Sequence, residues 1–205
     1  MDIIAHRGSW TEPEDQNTRL AISRAIGQGF GVETDFWFVD GCFVISHDPP
    51  SSGHEGEGLA DLNALSGCST VAANVKAAFP LIDLARKLSG LGVKDFYFFD
   101  LTGPQIRECI IHDLPFFTRL SEYEPWPPVA LKQATGVWID AFAHRSVLSD
   151  VSNTLEAGKI PCVVSPELHG RDHIPIWAEL AGLPDGSLQI CTDFPEAMNS
   201  FLDRQ

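Results

Sequence analysis

The feature that most constrains this chain is a regular alternation of short apolar runs with segments of helical spacing. Eight runs rich in Val, Ile, Phe, Trp or Tyr and bounded by Gly, Pro, Asp or Ser lie at Asp2–Ala5, Gly31–Phe36, Thr70–Lys76, Asp95–Asp100, Pro115–Leu120, Gly136–Ala141, Pro161–Pro166 and Leu188–Thr192. That composition and punctuation predicts strands. Between most of them, apolar residues recur every three or four positions: Leu81, Leu84, Ala85 and Leu88 within Pro80–Leu91, and Val147, Leu148, Val151 and Leu155 within Val147–Ala157. Asn17–Gly29 has the same character, and Pro175–Gly182 and Pro195–Leu202 each open with a proline suited to a first helical turn. Strands that alternate with helices pair in parallel, and a run such as Phe96-Tyr97-Phe98-Phe99 fits a sheet covered on both faces. Eight such units predict a single α/β domain over residues 1–205, a small (β/α)8 TIM barrel. One local exception is Phe36–Ser46, where Asp40-Gly41 between two apolar runs predicts a hairpin. The polar, Gly-rich stretch 51–58 that follows predicts a loop.

With 205 residues and 44% hydrophobic composition, the chain can fill one core but not two ordinary domains. An eight-unit barrel of this size must have trimmed loops. The formal charge of −14 disfavours nucleic acid and anionic membranes as partners. It permits an anionic small molecule if a bound cation dominates the local field. The five cysteines are odd in number and lack zinc-ribbon spacing, so they are expected to be reduced core residues in a cytoplasmic protein. No apolar run approaches the length of a membrane span.

Chemistry in such barrels gathers at the C-terminal ends of the strands. Polar residues do collect there: His6-Arg7 after the first strand, Glu33 and Asp35 in the second, Asn74 and Lys76 in the third, Asp100 after the fourth, Arg119 and Glu122 around the end of the fifth, Asp140 after the sixth, and Glu167, His169 and Arg171 after the seventh. Glu33 and Asp35 are two apart on a strand and so share a face, as do Asn74 and Lys76. Two carboxylates and an amide oxygen form a hard, oxygen-rich set that suits Mg²⁺ or Ca²⁺ better than zinc.

At this point the order of motifs becomes specific. Ile3-Ile4-Ala5-His6-Arg7-Gly8, Pro13-Glu14-Asp15-Gln16-Asn17-Thr18, Val32-Glu33-Thr34-Asp35, Asp40-Gly41 and His47-Asp48 together resemble the opening of a glycerophosphodiester phosphodiesterase. Ile190-Cys191-Thr192-Asp193-Phe194-Pro195 is similar to that family's last strand. The resemblance implies a metal-dependent hydrolase of phosphodiesters, the family acting on glycerophosphodiesters of lipid metabolism. It implies His6 and His47 as general acid and base, Arg7 on a phosphate oxygen, Glu33 and Asp35 as metal ligands, and Lys76 stabilising phosphate charge. Imidazoles titrate near neutral pH and suit such a role.

Two departures from the family pattern stand out. Asn74 occupies the place of the family's third-strand Glu, which predicts a weaker metal site, with Glu122 or Glu167 as substitute ligands. The stretch after His47-Asp48 is short, which predicts an open site. Arg119, Glu167, His169 and Arg171 are further candidates for substrate or phosphate contact. Arg119 and Glu122 could instead bridge to each other, and Asp100 and Asp140 could cap helices. Trp126, Trp138 and Phe142 are expected in the core. Two other functions stay open: a barrel that binds a phosphorylated ligand without turnover, and a lyase that releases a cyclic phosphate.

Overall fold

A computed structural model describes residues 1–50, 61–183 and 188–204, so His54 and the expected 51–58 loop lie outside the described residues. Nine strands are present: β1 Asp2–His6, β2 Gly31–Val39, β3 Cys42–Ile45, β4 Thr70–Val75, β5 Asp95–Phe99, β6 Phe117–Leu120, β7 Gly136–Ile139, β8 Ile160–Val164 and β9 Gln189–Thr192. They form one sheet in the order β5-β4-β2-β1-β9-β8-β7-β6. All neighbours on that path are parallel, and β3 pairs antiparallel with the far half of β2. The eight parallel strands are the eight expected from the sequence, with ends shifted by a few residues. The ninth is the returning arm of the expected hairpin, whose turn residues Asp40 and Gly41 have φ of 51° and 81°. The sheet curls into a nearly closed barrel. Its last junction, β5 to β6, is made by one bridge, Phe98 to Phe116, among the described residues.

Alternate residues of each strand face two different cores. One lies between the sheet and the helices and holds Ile3, Val32, Phe36, Val71, Phe98 and Ile190 among others. The other fills the barrel interior, where Tyr97 stacks on Phe117 at 3.6 Å between ring centroids and Phe99 on Trp138 at 3.9 Å. Tyr97 donates to Gln189 Oε1 across the interior at 3.0 Å, so its hydroxyl is not left unpaired in the apolar centre. Each aromatic pair combines large apolar burial with a favourable stacked geometry.

The helices are α1 Arg19–Gly27, α2 Leu81–Gly90, α3 Gly103–His112, α4 Leu148–Glu156, α5 Ile174–Ala181 and α6 Pro195–Leu202. Five match the expected helical segments. The sixth, α3, has no counterpart in the sequence reading. Its start is a capping box in which Thr102 and Gln105 satisfy each other's end of the turn, with Pro104 in the first turn. Its apolar residues hide its nature, because Ile110 and Ile111 point to solvent while Gln105 and Cys109 are buried. Four cysteines are buried and free as expected, but Cys42 is exposed because it begins β3 beside the hairpin turn. No described helix is long and apolar enough to cross a membrane.

Gly136 shows how tightly the interior is filled. A Cβ there would lie 2.4 Å from the Ile160 carbonyl oxygen and 2.4 Å from the Phe117 ring. Gly136→Ala should therefore lower stability by roughly 1–3 kcal/mol, the usual effect of overpacking a filled core. The urea midpoint measures this, and a variant as stable as the parent would contradict the packing described.

Candidate active site at the C-terminal mouth

The interior faces of β1, β2 and β4 end in charge. Register sets the neighbours: His6 pairs with Glu33, and Asp35 with Asn74. Glu33 and Asp35 are each 1% exposed, and Asn74 is 8% exposed. Burying two carboxylates this close costs free energy unless partners offset the charge. Asp35 has several partners. Lys76 Nζ lies 3.0 Å from its Oδ1, Arg7 Nε 3.3 Å from its Oδ2, and Asn17 Nδ2 donates to Oδ2 at 2.9 Å. Asn17 Oδ1 in turn accepts from Thr34 at 2.7 Å, which fixes the amide orientation.

Glu33 is less well served. Its nearest cation is His6, with Nε2 3.8 Å from Oε2. Burial, then the charge of Asp35, push its carboxyl up to about 7, against the opposing pull of His6, Arg7 and Lys76. His6 is held by its other nitrogen, since Nδ1 lies 2.7 Å from Asp193 Oδ1. With Nδ1 donating to that carboxylate, Nε2 is the nitrogen presented to the mouth. The backbone is strained at the same place: Arg7 and Asn17 adopt φ of 57° and 59°, tied together by Asn17 N donating to Arg7 O at 2.9 Å.

Two buried oxygens, Glu33 Oε2 and Asn74 Oδ1, accept no hydrogen bond among the described residues, and Asp35 Oδ1 has only the Lys76 ammonium at 3.0 Å. Unpaired buried oxygens from neighbouring strands fit a hard cation. Among the described residues no three His, Cys, Asp or Glu side chains are grouped for a metal, and the oxygen nearest in register to Asp35 on the next strand is the Asn74 amide.

His47 follows the returning strand of the hairpin. Ser46 N donates to Asp35 O at 3.1 Å, which brings the residue after it to the same mouth. The His47 ring is 51% exposed, with Nδ1 3.0 Å from Asp48 Oδ1.

The other candidates from the sequence have different surroundings. Glu122 is not free to ligate a metal. Its oxygens accept from Phe142 N, Ala143 N and Arg145 Nε, and although burial opposes ionisation, these donors hold its carboxyl down at about 2. Arg119 pairs with Asp100 and lies 3.6 Å from Glu124, not with Glu122. Asp100 caps no helix, since Thr102 does that; its φ of 60° turns the chain at the rim. Asp140 likewise caps nothing and holds His169 Nε2 at 2.7 Å. Glu167 accepts from Ser165, Thr192 and the Asp193 backbone, so it knits β8 to β9 under the rim. Arg171 is spent on the carbonyls of Ala141 and Ala143. Trp138 is core and Trp126 packs partly buried against it, as expected, but Phe142 is half-exposed, its ring 4.8 Å from His169. The sequence gives Asn17 no role, and places Asp193 among the polar residues at the end of the last strand without assigning it one. Each lies inside a quoted motif, and the signal was positional: a polar residue directly after a strand or next to a helix cap.

No protein-family model matches this sequence, and no curated protein matches it significantly. Solved structures do resemble it. A crystal structure of glycerophosphodiester phosphodiesterase from Agrobacterium tumefaciens superimposes with a TM-score of 0.71 at 20% identity, covering 98% of this chain and 99% of that one. A glycerophosphoryl diester phosphodiesterase from Parabacteroides distasonis gives 0.67 at 12% identity, covering 99% of this chain and 86% of that one. At such identities the likeness is one of fold, and it extends over the whole chain.

The raised Glu33 carboxyl has a thermodynamic signature. Because its folded value near 7 lies above its ordinary 4.5, the native protein retains a proton that the unfolded chain has lost. Stability should fall as pH rises through that interval, by on the order of 3 kcal/mol for this group. Melting temperatures from pH 5 to pH 8 test it. Glu33→Gln should flatten the decline, and an unchanged slope would remove Glu33 as its cause.

Proposed function

We propose that this chain is a divalent-metal-dependent phosphodiesterase of the glycerophosphodiester phosphodiesterase kind, converting a phosphodiester to a phosphomonoester and an alcohol. One observation carries the reading: a carboxylate-held imidazole, two buried carboxylates and two cationic side chains converge at one barrel mouth. The sequence motifs and the shared fold of solved phosphodiesterases support it.

Glu33, Asp35 and Asn74 are the residues that would hold the cation, Mg²⁺ or Ca²⁺. When bound, such an ion offsets negative charge on a phosphoryl oxygen. Arg7 and Lys76 draw a phosphate to the same place. Each is poised on Asp35, so an incoming anion and a cation can divide that pairing between them. His6 presents Nε2 for proton transfer, while Asp193 fixes its ring and steadies the imidazolium that results. His47, on the open side, takes the complementary role. One imidazole removes the proton of the nucleophile, a water or a substrate hydroxyl, and the other protonates the leaving alkoxide. The small molecule reaches the site through the solvent, and the −14 charge leaves nucleic acid unfavoured as a partner.

His6→Ala should reduce turnover of a glycerophosphodiester at least a hundredfold, the usual scale of a lost proton-transfer group. Phosphorus NMR of the product distinguishes a phosphomonoester from a cyclic phosphate. An inactive parent protein across a panel of phosphodiesters with Mg²⁺ and Ca²⁺ would favour the binding barrel instead. The metal has its own readout: either ion should raise the melting temperature more at pH 8 than at pH 5.5, where it competes with the Glu33 proton. Glu33→Gln should shrink that rise. No shift with either ion would count against the ligand set.

A further inference from the structure

The parallel wall of the barrel is weakest between β5 and β6. Elsewhere neighbouring strands share three to five paired residues, but here the ladder is one bridge at Phe98 and Phe116. Beyond it the strands part, and Arg119 spans the gap to Asp100 with two nitrogens on one oxygen. The opening is a cleft of about 730 Å³. Its sides are Leu101 and Ile106 from the α3 side, Phe117 from β6, and Tyr123, Pro127 and Val129 from the segment after β6. Tyr123 and Val129 are 82% and 75% exposed, an unusual degree for large apolar side chains.

The cleft borders the mouth at Asp100. Asn74 pairs with Phe99, so Asp100 comes next to Val75 and Lys76 at the strand ends. The charges of Arg119, Lys76 and Asp140 all act on the Asp100 carboxyl, which burial raises. The groove is therefore charged at Asp100 and Arg119, near the phosphate-drawing Lys76, and the rest of its lining is mostly apolar with Thr118 and Glu124 among it.

We propose that this seam cleft receives an apolar arm, alkyl or aryl, of the phosphodiester whose phosphate sits at Lys76 and Arg7. The assignment rests on the phosphodiesterase reading. A diester has two arms leaving one phosphorus, and the cleft lies on the Asp100 side of Lys76, where that phosphate would sit. A volume of this size accommodates a medium alkyl chain or an aromatic ring. Asp100 and Arg119 line the cleft on the side of Lys76, and apolar side chains make up most of the remaining lining. A purely polar head group would leave those apolar walls exposed to water and gain nothing from them.

Two measurements on the full chain test this. In the first, glyceryl octyl phosphate and glyceryl methyl phosphate are compared as substrates of the parent and of Val129→Trp, which fills the cleft from its exposed rim. The value of kcat/KM for the octyl ester should fall at least tenfold in the variant, and that for the methyl ester should stay within twofold. Ile111→Trp, on the exposed side of α3, should change neither. Equal loss with both esters, or with neither, overturns the assignment. In the second, the methyl resonance of Ile106 is followed by NMR in His6→Ala, which turns nothing over. Methyl octyl phosphate should shift it, and dimethyl phosphate should not. If the parent hydrolyses neither ester, the catalytic reading fails by itself, and the Ile106 shift still decides the cleft. An Ile106 resonance unmoved by millimolar methyl octyl phosphate excludes the arm from it.

Discussion

Two carboxylates with almost no solvent contact, placed side by side on β2, are the constraint around which the rest of the mouth is organised. At 1% exposure Glu33 and Asp35 are almost cut off from solvent, so the chain must bring positive and hydrogen-bonding groups to them from elsewhere. Lys76 arrives from β4, Arg7 and His6 from the end of β1, and Asn17 from the loop before α1. Arg7 and Asn17, which bring these groups, both adopt left-handed backbone conformations. Asp35 is nearly neutralised by this arrangement and Glu33 is not. The imbalance leaves one carboxyl titrating near neutrality, and Glu33 Oε2 and Asn74 Oδ1 without donors among the described residues, at the place where a cation is proposed to bind.

Around this centre lie pairings whose role is mechanical. Glu167 gathers donors from Ser165, Thr192 and the Asp193 backbone, and Asp193 then fixes His6. Arg171 and Glu122 perform similar work on the loop that follows β7. These residues look functional in a sequence because charged side chains near strand ends are the usual signature of a barrel's chemistry. Only their partners reveal that they hold the rim together.

What the sequence made legible follows from periodicity. Eight strands could be placed because apolar runs bounded by turn formers survive any reading, and Glu33, Asp35, Asn74 and Lys76 could be set on one face because a strand alternates. The hairpin was legible from Asp40-Gly41. Helix α3 was not, because Ile110 and Ile111 face solvent and corrupt the apolar stripe by which an amphipathic helix is recognised. Contacts such as His6 to Asp193, separated by most of the chain, and His169 to Asp140 depend on barrel closure, which no local pattern encodes. Exposed Cys42 was misplaced for the opposite reason. It stands in an apolar run, yet the turn beside it carries it outward.

The stacked rings within the barrel have a consequence for molecular traffic. Tyr97 on Phe117 and Phe99 on Trp138 plug the interior below the charged layer, and Gln189 caps the plug with a hydrogen bond. A dead-ended vessel of this sort has no drain. Whatever enters at the rim must depart by the rim or by the seam between β5 and β6 beside it, and of two fragments made from one molecule the one with the stronger hold on the basic side chains would be the last to go.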